Sequence, residues 1–230
     1  MKPALALRRA AVFAVLAAAV VAGSAVAASA PREAHTAAGT KLAQASLLQL
    51  SDLGRGWTAA KPTAASSTGL NFSCTGFTPK QSDLVEIGTA TSANFRGGAI
   101  GPFLAQKTSV YATAKAARTL WRRGVKPQLS ACVGLSLRAL ESKGVHVTIT
   151  SRTTIRIGAI ADRSATYRIL ATLTTPKQRL KTFFDVILLA SGRTITELTI
   201  SQFQKAPPLK SEQALAKIVA RRIGAGGPAA

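Results

Sequence analysis

The chain is 230 residues long and 47% hydrophobic, with 30 Lys and Arg against nine Asp and Glu and a formal charge of +21 at neutral pH. Its two histidines, two cysteines and scattered acids form no HExxH, no calcium loop and no GxSxG elbow, so no catalytic residue, no metal site and no cofactor is expected. Regular apolar patterning along the body excludes a disordered chain.

The N-terminal stretch MKPALALRRAAVFAVLAAAVVAGSAVAASA places Lys2, Arg8 and Arg9 ahead of an uncharged Ala/Val run that ends in small residues, the layout of a secretory signal peptide. Residues 1–27 are read as that leader, with Ala25 and Ala27 at the small-residue positions. The alternative is an uncleaved N-terminal anchor that leaves the body facing outward, because about 20 apolar residues suffice to cross a bilayer. Either route puts the protein outside the cytoplasm, in the cell envelope or secreted. Export removes nucleic acid from the partners expected of so basic a chain and leaves lipid headgroups, anionic wall polymers and acidic proteins. Residues 28–40 are expected as a flexible linker, 41–224 as a single domain and 225–230 as a loose tail.

In the body, TKLAQASLLQLSDLG spaces Leu42, Ala45, Leu48 and Leu53 at helical period and stops at Gly54. A long polar loop, KPTAASSTGLNFSCTGFTPK, carries Cys74. Alternation over residues 84–95 predicts a strand, Arg96-Gly97-Gly98 a turn, and residues 103–111 a second, antiparallel strand. Ala114, Ala117, Leu120 and Trp121 then line a helix that ends at Gly124, and Pro127 opens another with Leu129, Cys132, Val133, Leu137 and Leu140 on one face, closed by Gly144.

The run VHVTITSRTTIRI gives strict alternation, with Val145, Val147, Ile149, Ile155 and Ile157 on one side and His146, Thr148, Thr150, Arg152, Thr154 and Arg156 on the other. Ala165, Tyr167, Ile169, Ala171 and Leu173 predict the next strand, residues 180–190 a central strand covered on both faces, and Ser191-Gly192 a tight hairpin into RTITELTISQF. Pro207-Pro208 breaks that strand, and Leu215, Ile218, Val219 and Ile223 mark a last amphipathic helix.

The fold class expected is α+β, a six-stranded, mainly antiparallel sheet with helices packed on its faces, in the order α-β-β-α-α-β-β-β-β-α. Outside the cytoplasm Cys74 and Cys132 are expected to pair as a disulfide. Closing a loop of this length restricts the unfolded chain by about 4 kcal/mol in the loop-entropy account.

The motifs LLQLSDLGRGW, SVYATAKAARTLW and GAIADRSATYRI, with one cysteine in the loop after the first and another on a helix, resemble the extracellular sensor domain of actinobacterial serine/threonine kinases and its free-standing secreted or lipoprotein relatives. That resemblance implies a non-catalytic domain that binds an envelope ligand in a cleft. Members typically carry a second disulfide, and often a lipid anchor or a kinase on the same chain, and this sequence has neither.

The residues singled out for ligand binding are cationic. His146, Arg152 and Arg156 share the polar side of one strand, and Arg168 on the next could stand beside them, a row suited to an anionic headgroup through charge-assisted hydrogen bonds. The plain alternative is a solvated sheet face. The function expected is thus a secreted, non-enzymatic binding domain for an anionic or amphiphilic envelope ligand, an anionic lipid or wall polymer, with association to a membrane surface as one form of it. The competing readings are a secreted hydrolase using His146 and a basic structural protein held to wall polymer by charge.

Overall fold

The computed structural model describes residues 30–62, 74–138, 145–176 and 178–225. The expected signal peptide, the end of the tail and the positions of Leu140 and Gly144 lie outside them.

Among the described residues nine strands form one sheet in the order β1-β3-β5-β9-β8-β7-β6, with β4 attached beside β5 and β2 beside β4. They are β1 (Arg32–Glu33), β2 (Thr58–Ala60), β3 (Val85–Thr91), β4 (Asn94–Arg96), β5 (Phe103–Tyr111), β6 (His146–Thr154), β7 (Arg163–Thr175), β8 (Gln178–Ser191) and β9 (Thr194–Phe203). Four helices pack on this sheet: α1 (Ala37–Ala45), α2 (Ala114–Gly124), α3 (Leu129–Arg138) and α4 (Leu209–Ala225). Every pairing is antiparallel except β1 with β3. The α+β class and all six expected strands are present. The sheet is larger than six-stranded because β1 and β2 are two or three residues long, too short to show any alternation, and because the single strand expected over residues 84–95 breaks at Ser92-Ala93 into β3 and β4. Two elements also lie in the segment expected as a linker: β1, and the start of α1, whose N-cap Thr36 accepts a hydrogen bond from the Gly39 amide at 3.0 Å.

Strand parity sorts the side chains onto two faces. On the first, Leu104, Ile187, Leu189, Leu198 and Ile200 are buried beneath Ala216, Val219 and Ile223 of α4 and beside Leu48. Here too Gln106 is fully buried: its Oε1 accepts from the Leu48 amide at 2.6 Å, and its Nε2 donates to the Ser46 carbonyl and to the hydroxyls of Thr108 and Thr196. That network fastens the chain after α1 to the sheet. Arg222 of α4 reaches the same chain, donating to both carboxylate oxygens of Asp52 at 2.8 Å.

On the second face, α2 covers Tyr111, Ala190 and Ile195 through Ala117 and Leu120. Helix α3 covers Val147, Ile169, Ala171 and Leu173 through Leu129, Cys132, Val133 and Leu137. The Cys74–Cys132 disulfide forms, with Cα atoms 5.3 Å apart. It staples the loop strand before β3 to the buried side of α3. Strand β8, with Val186, Ile187, Leu188 and Leu189 all buried, is the doubly covered central strand that its apolar run predicts.

The strict alternation expected in β6 does not hold. The register runs Ile149 opposite Ala171 and then Ser151 opposite Leu170, so Thr150 is an extra residue, a β-bulge. One inserted residue exchanges the two faces for everything after it. Val147 and Ile149 therefore enter the core under α3, while Ile155 and Ile157 enter the core under α4. The expected single apolar side is divided between the two faces of the sheet.

Candidate functional site

Strands β7 and β8 extend beyond the start of α4, and among the described residues no element covers the first face of β6, β7 and β8 there. His146, Thr148, Arg179 and Lys181 are exposed on it, with Leu170, Thr172, Thr174 and Phe183 half-buried between them. The pairing register sets these side chains in two rows across three strands. His146 lies beside Thr174, which lies beside Arg179; Thr148 lies beside Thr172, which lies beside Lys181. The strands hold this arrangement because the opposite parity is apolar and buried: Val147, Leu173 and Leu180 anchor it from the second face.

At the border with α4 the character changes from wet to buried. Arg168 donates from Nε and Nη2 to the two oxygens of Asp185 at 2.7 and 2.6 Å, and from Nη2 also to the Pro207 carbonyl at 3.2 Å and to Glu212 Oε1 at 3.3 Å. Asp185 is 0% exposed and Glu212 1%. Two carboxyl groups thus face one guanidinium in a dry site. Burial, and then the neighbouring Asp185 carboxylate, push the Glu212 carboxyl far above the usual range, against the opposing pull of Arg168. Glu212 Oε2 has no hydrogen-bond partner among the described residues. On the exposed side of the cluster the Phe183 ring carries two cations, Arg168 with Cζ 5.9 Å and Lys181 with Nζ 5.4 Å from its centroid.

Of the four residues expected to form a cationic row, two share this face. His146 is exposed on it, and Arg168 is on it but held by the carboxylates. The bulge removes the others. Arg152 lies opposite Ile169, a second-face residue, and packs against α3, where a Cβ on Gly134 would meet its Nε at 3.0 Å. Arg156 is exposed past the end of β6.

Arg179 and Lys181, from the strand read as covered on both sides, take the vacated places. The signal was present in KQRLKTF, where Arg179 and Lys181 alternate with buried Leu180 and Thr182. No carboxylate hydrogen-bonds to His146 among the described residues, so nothing there orients it as a base.

Seven of the eight acids among the described residues, all but Glu33, have partners elsewhere in the fold. Asp52 is held by Arg222, Asp83 by Arg123 at 2.7 and 3.0 Å, and Asp185 and Glu212 by Arg168. Glu86 pairs with His35 at 3.2 Å, Asp162 accepts from the Gly192 amide, and Glu197 from the Thr199 hydroxyl. Arg179 and Lys181 carry no ion pair among the described residues. The arrangement can accept anions, through a guanidinium fork, an ammonium and an imidazole interleaved with three threonine hydroxyls.

No protein-family model matches the chain, and no curated protein matches it. Among solved structures, the fold is similar to that of the extracellular domain of PknH from Mycobacterium tuberculosis, with 11% sequence identity and a TM-score of 0.44, over 79% of this chain and 95% of that one.

Proposed function

We propose that the chain is an extracytoplasmic, non-enzymatic binding domain that holds an anionic ligand of the cell envelope on the His146–Arg179–Lys181 face. The observation that carries this reading is the end of the first sheet face, where, among the described residues, exposed cations alternate with hydroxyls and the acids of the neighbouring strands and helix are held within the fold. The disulfide and the leader-like N-terminus support the location.

A test separates this face from charge in general. The variant Arg179→Ser/Lys181→Ser is compared with Lys115→Ser/Arg118→Ser, which removes the same charge from the exposed side of α2. Binding of inorganic tripolyphosphate, followed by calorimetry, is expected to weaken at least tenfold in the first variant and less than threefold in the second. Equal losses in both variants would reduce the interaction to net charge and defeat the assignment.

A further inference from the structure

We infer that the ligand of this face is an extended polyanion, a phosphodiester polymer laid across β6, β7 and β8, rather than one compact headgroup. The inference rests on the preceding reading and deepens it.

Spacing is the first argument. Arg179 and Lys181 are two residues apart on one strand, a rise of about 7 Å, and His146 is two strands from Arg179, about 10 Å away. Cations rooted at those intervals do not converge on one phosphate without bending over the threonines between them. A chain with one charge per repeat meets them in turn, and its linking atoms fall over Thr148, Thr172 and Thr174, which both donate and accept. Among the described residues the face also has no walls: it runs out at the β7–β8 hairpin on one side and at the β6 edge strand on another, so a long chain can pass across it. Among the described residues, charge complementarity is one-sided, since the carboxylates bordering this face, Asp185 and Glu212, are buried under Arg168.

Phosphate fits these donors better than carboxylate. The hydroxyls come from β6 and β7 and both cations from β8, so the donors approach from different directions, and a tetrahedral oxyanion offers oxygens in several directions while a carboxylate offers two in one plane. A lipid surface fits less well. Of the large exposed apolar side chains, Leu50, Ile100 and Leu135 belong to other segments and Leu209 only borders the face, while Phe183 lies half-buried under Lys181. Among the described residues, nothing apolar protrudes from this face to enter a membrane.

The experiment titrates the full chain with synthetic glycerol phosphate oligomers of one, three and six units. Comparison arms are a galacturonate oligomer of six units and vesicles of anionic phospholipid. Affinity per phosphate is expected to rise at least tenfold from one to three units, with a salt slope near 2 that falls by roughly 1 for each of Arg179→Ser and Lys181→Ser.

Equal affinity per phosphate at all lengths, with the variant effects intact, would leave the proposed function standing and overturn the polymer. Equal binding of the galacturonate oligomer would overturn the choice of phosphate, and tighter binding to vesicles would replace the polymer with a membrane surface. Absence of binding in every arm would overturn the preceding reading together with this one.

Discussion

Arg168 and Asp185 face each other across β7 and β8, joined by two hydrogen bonds of 2.7 and 2.6 Å, with the acid fully buried and the base reaching the surface. Such a pair is costly to break from one side because the remaining charge is stranded in a dry environment. Arg168→Ala is expected to lower unfolding stability by about 3–5 kcal/mol, while Arg168→Met/Asp185→Leu recovers most of the loss. Urea titration of the three proteins checks this; equal stability of the single variant and wild type would mean that the pair contributes nothing.

Glu212 gives the fold a pH dependence of definite sign. Its carboxyl sits far above the ordinary glutamate value of 4.5 in the folded chain, first through burial and then through Asp185. The folded state therefore holds that proton more tightly than the unfolded state does. The associated stability is fully present below pH 4.5 and is lost as pH rises toward the folded value. Urea midpoints should accordingly fall between pH 5 and alkaline pH in the wild type and fall less in Glu212→Gln. Parallel curves for the two proteins would show that another group titrates.

The disulfide joins residues separated by 58 positions. Cys132→Ser/Cys74→Ser is expected to lose about 4 kcal/mol, largely through a freer unfolded chain. Thermal and denaturant unfolding of the two proteins measures it, and treatment of the wild type with a reductant should reproduce the same loss.

Helix α1 lies on β3 through two glycines. A Cβ on Gly39 would overlap the Ile87 carbonyl, and one on Gly88 would overlap the backbone of Gly39. Gly39→Ala should push α1 off the sheet and expose Ala43, which is 0% exposed. Hydrogen exchange confined to α1 and the Ser46–Leu48 tether to Gln106 would report it. Unchanged protection there would show that the helix can shift without cost.

The long elements were legible because each repeats its period several times: the alternation in β7 and β9, the apolar run of β8, and the stripes of α2 and α4 all lie where the residues indicate. Strands β1 and β2 were not, since two or three residues carry no period and their pairing depends on strands far along the chain, and the break that separates β4 from β3 fell inside one run of alternation. The bulge in β6 was hidden for a different reason. Thr150 and Ser151 are both polar, so an inserted residue leaves the sequence looking regular while the side chains change faces. That one residue separates Arg152 from His146 and makes way for Arg179 and Lys181. The partners of Arg168 were equally out of reach, because Asp185 and Glu212 are 17 and 44 positions away and meet it only when α4 lies down on the sheet.

The placing of the acids bears on how the molecule behaves in its surroundings. With Asp52, Asp185 and Glu212 each facing an arginine in the interior or at its margin, what faces outward is mainly lysine and arginine, whose ordinary titration lies above pH 10. Mild acidification or alkalinisation cannot reverse the sign of such an exterior. Under the proposed function, dissolved electrolyte, which shortens the reach of those charges, is then the variable to which attachment to negatively charged material would respond, so dilution of the medium should tighten such attachment and brine should release it.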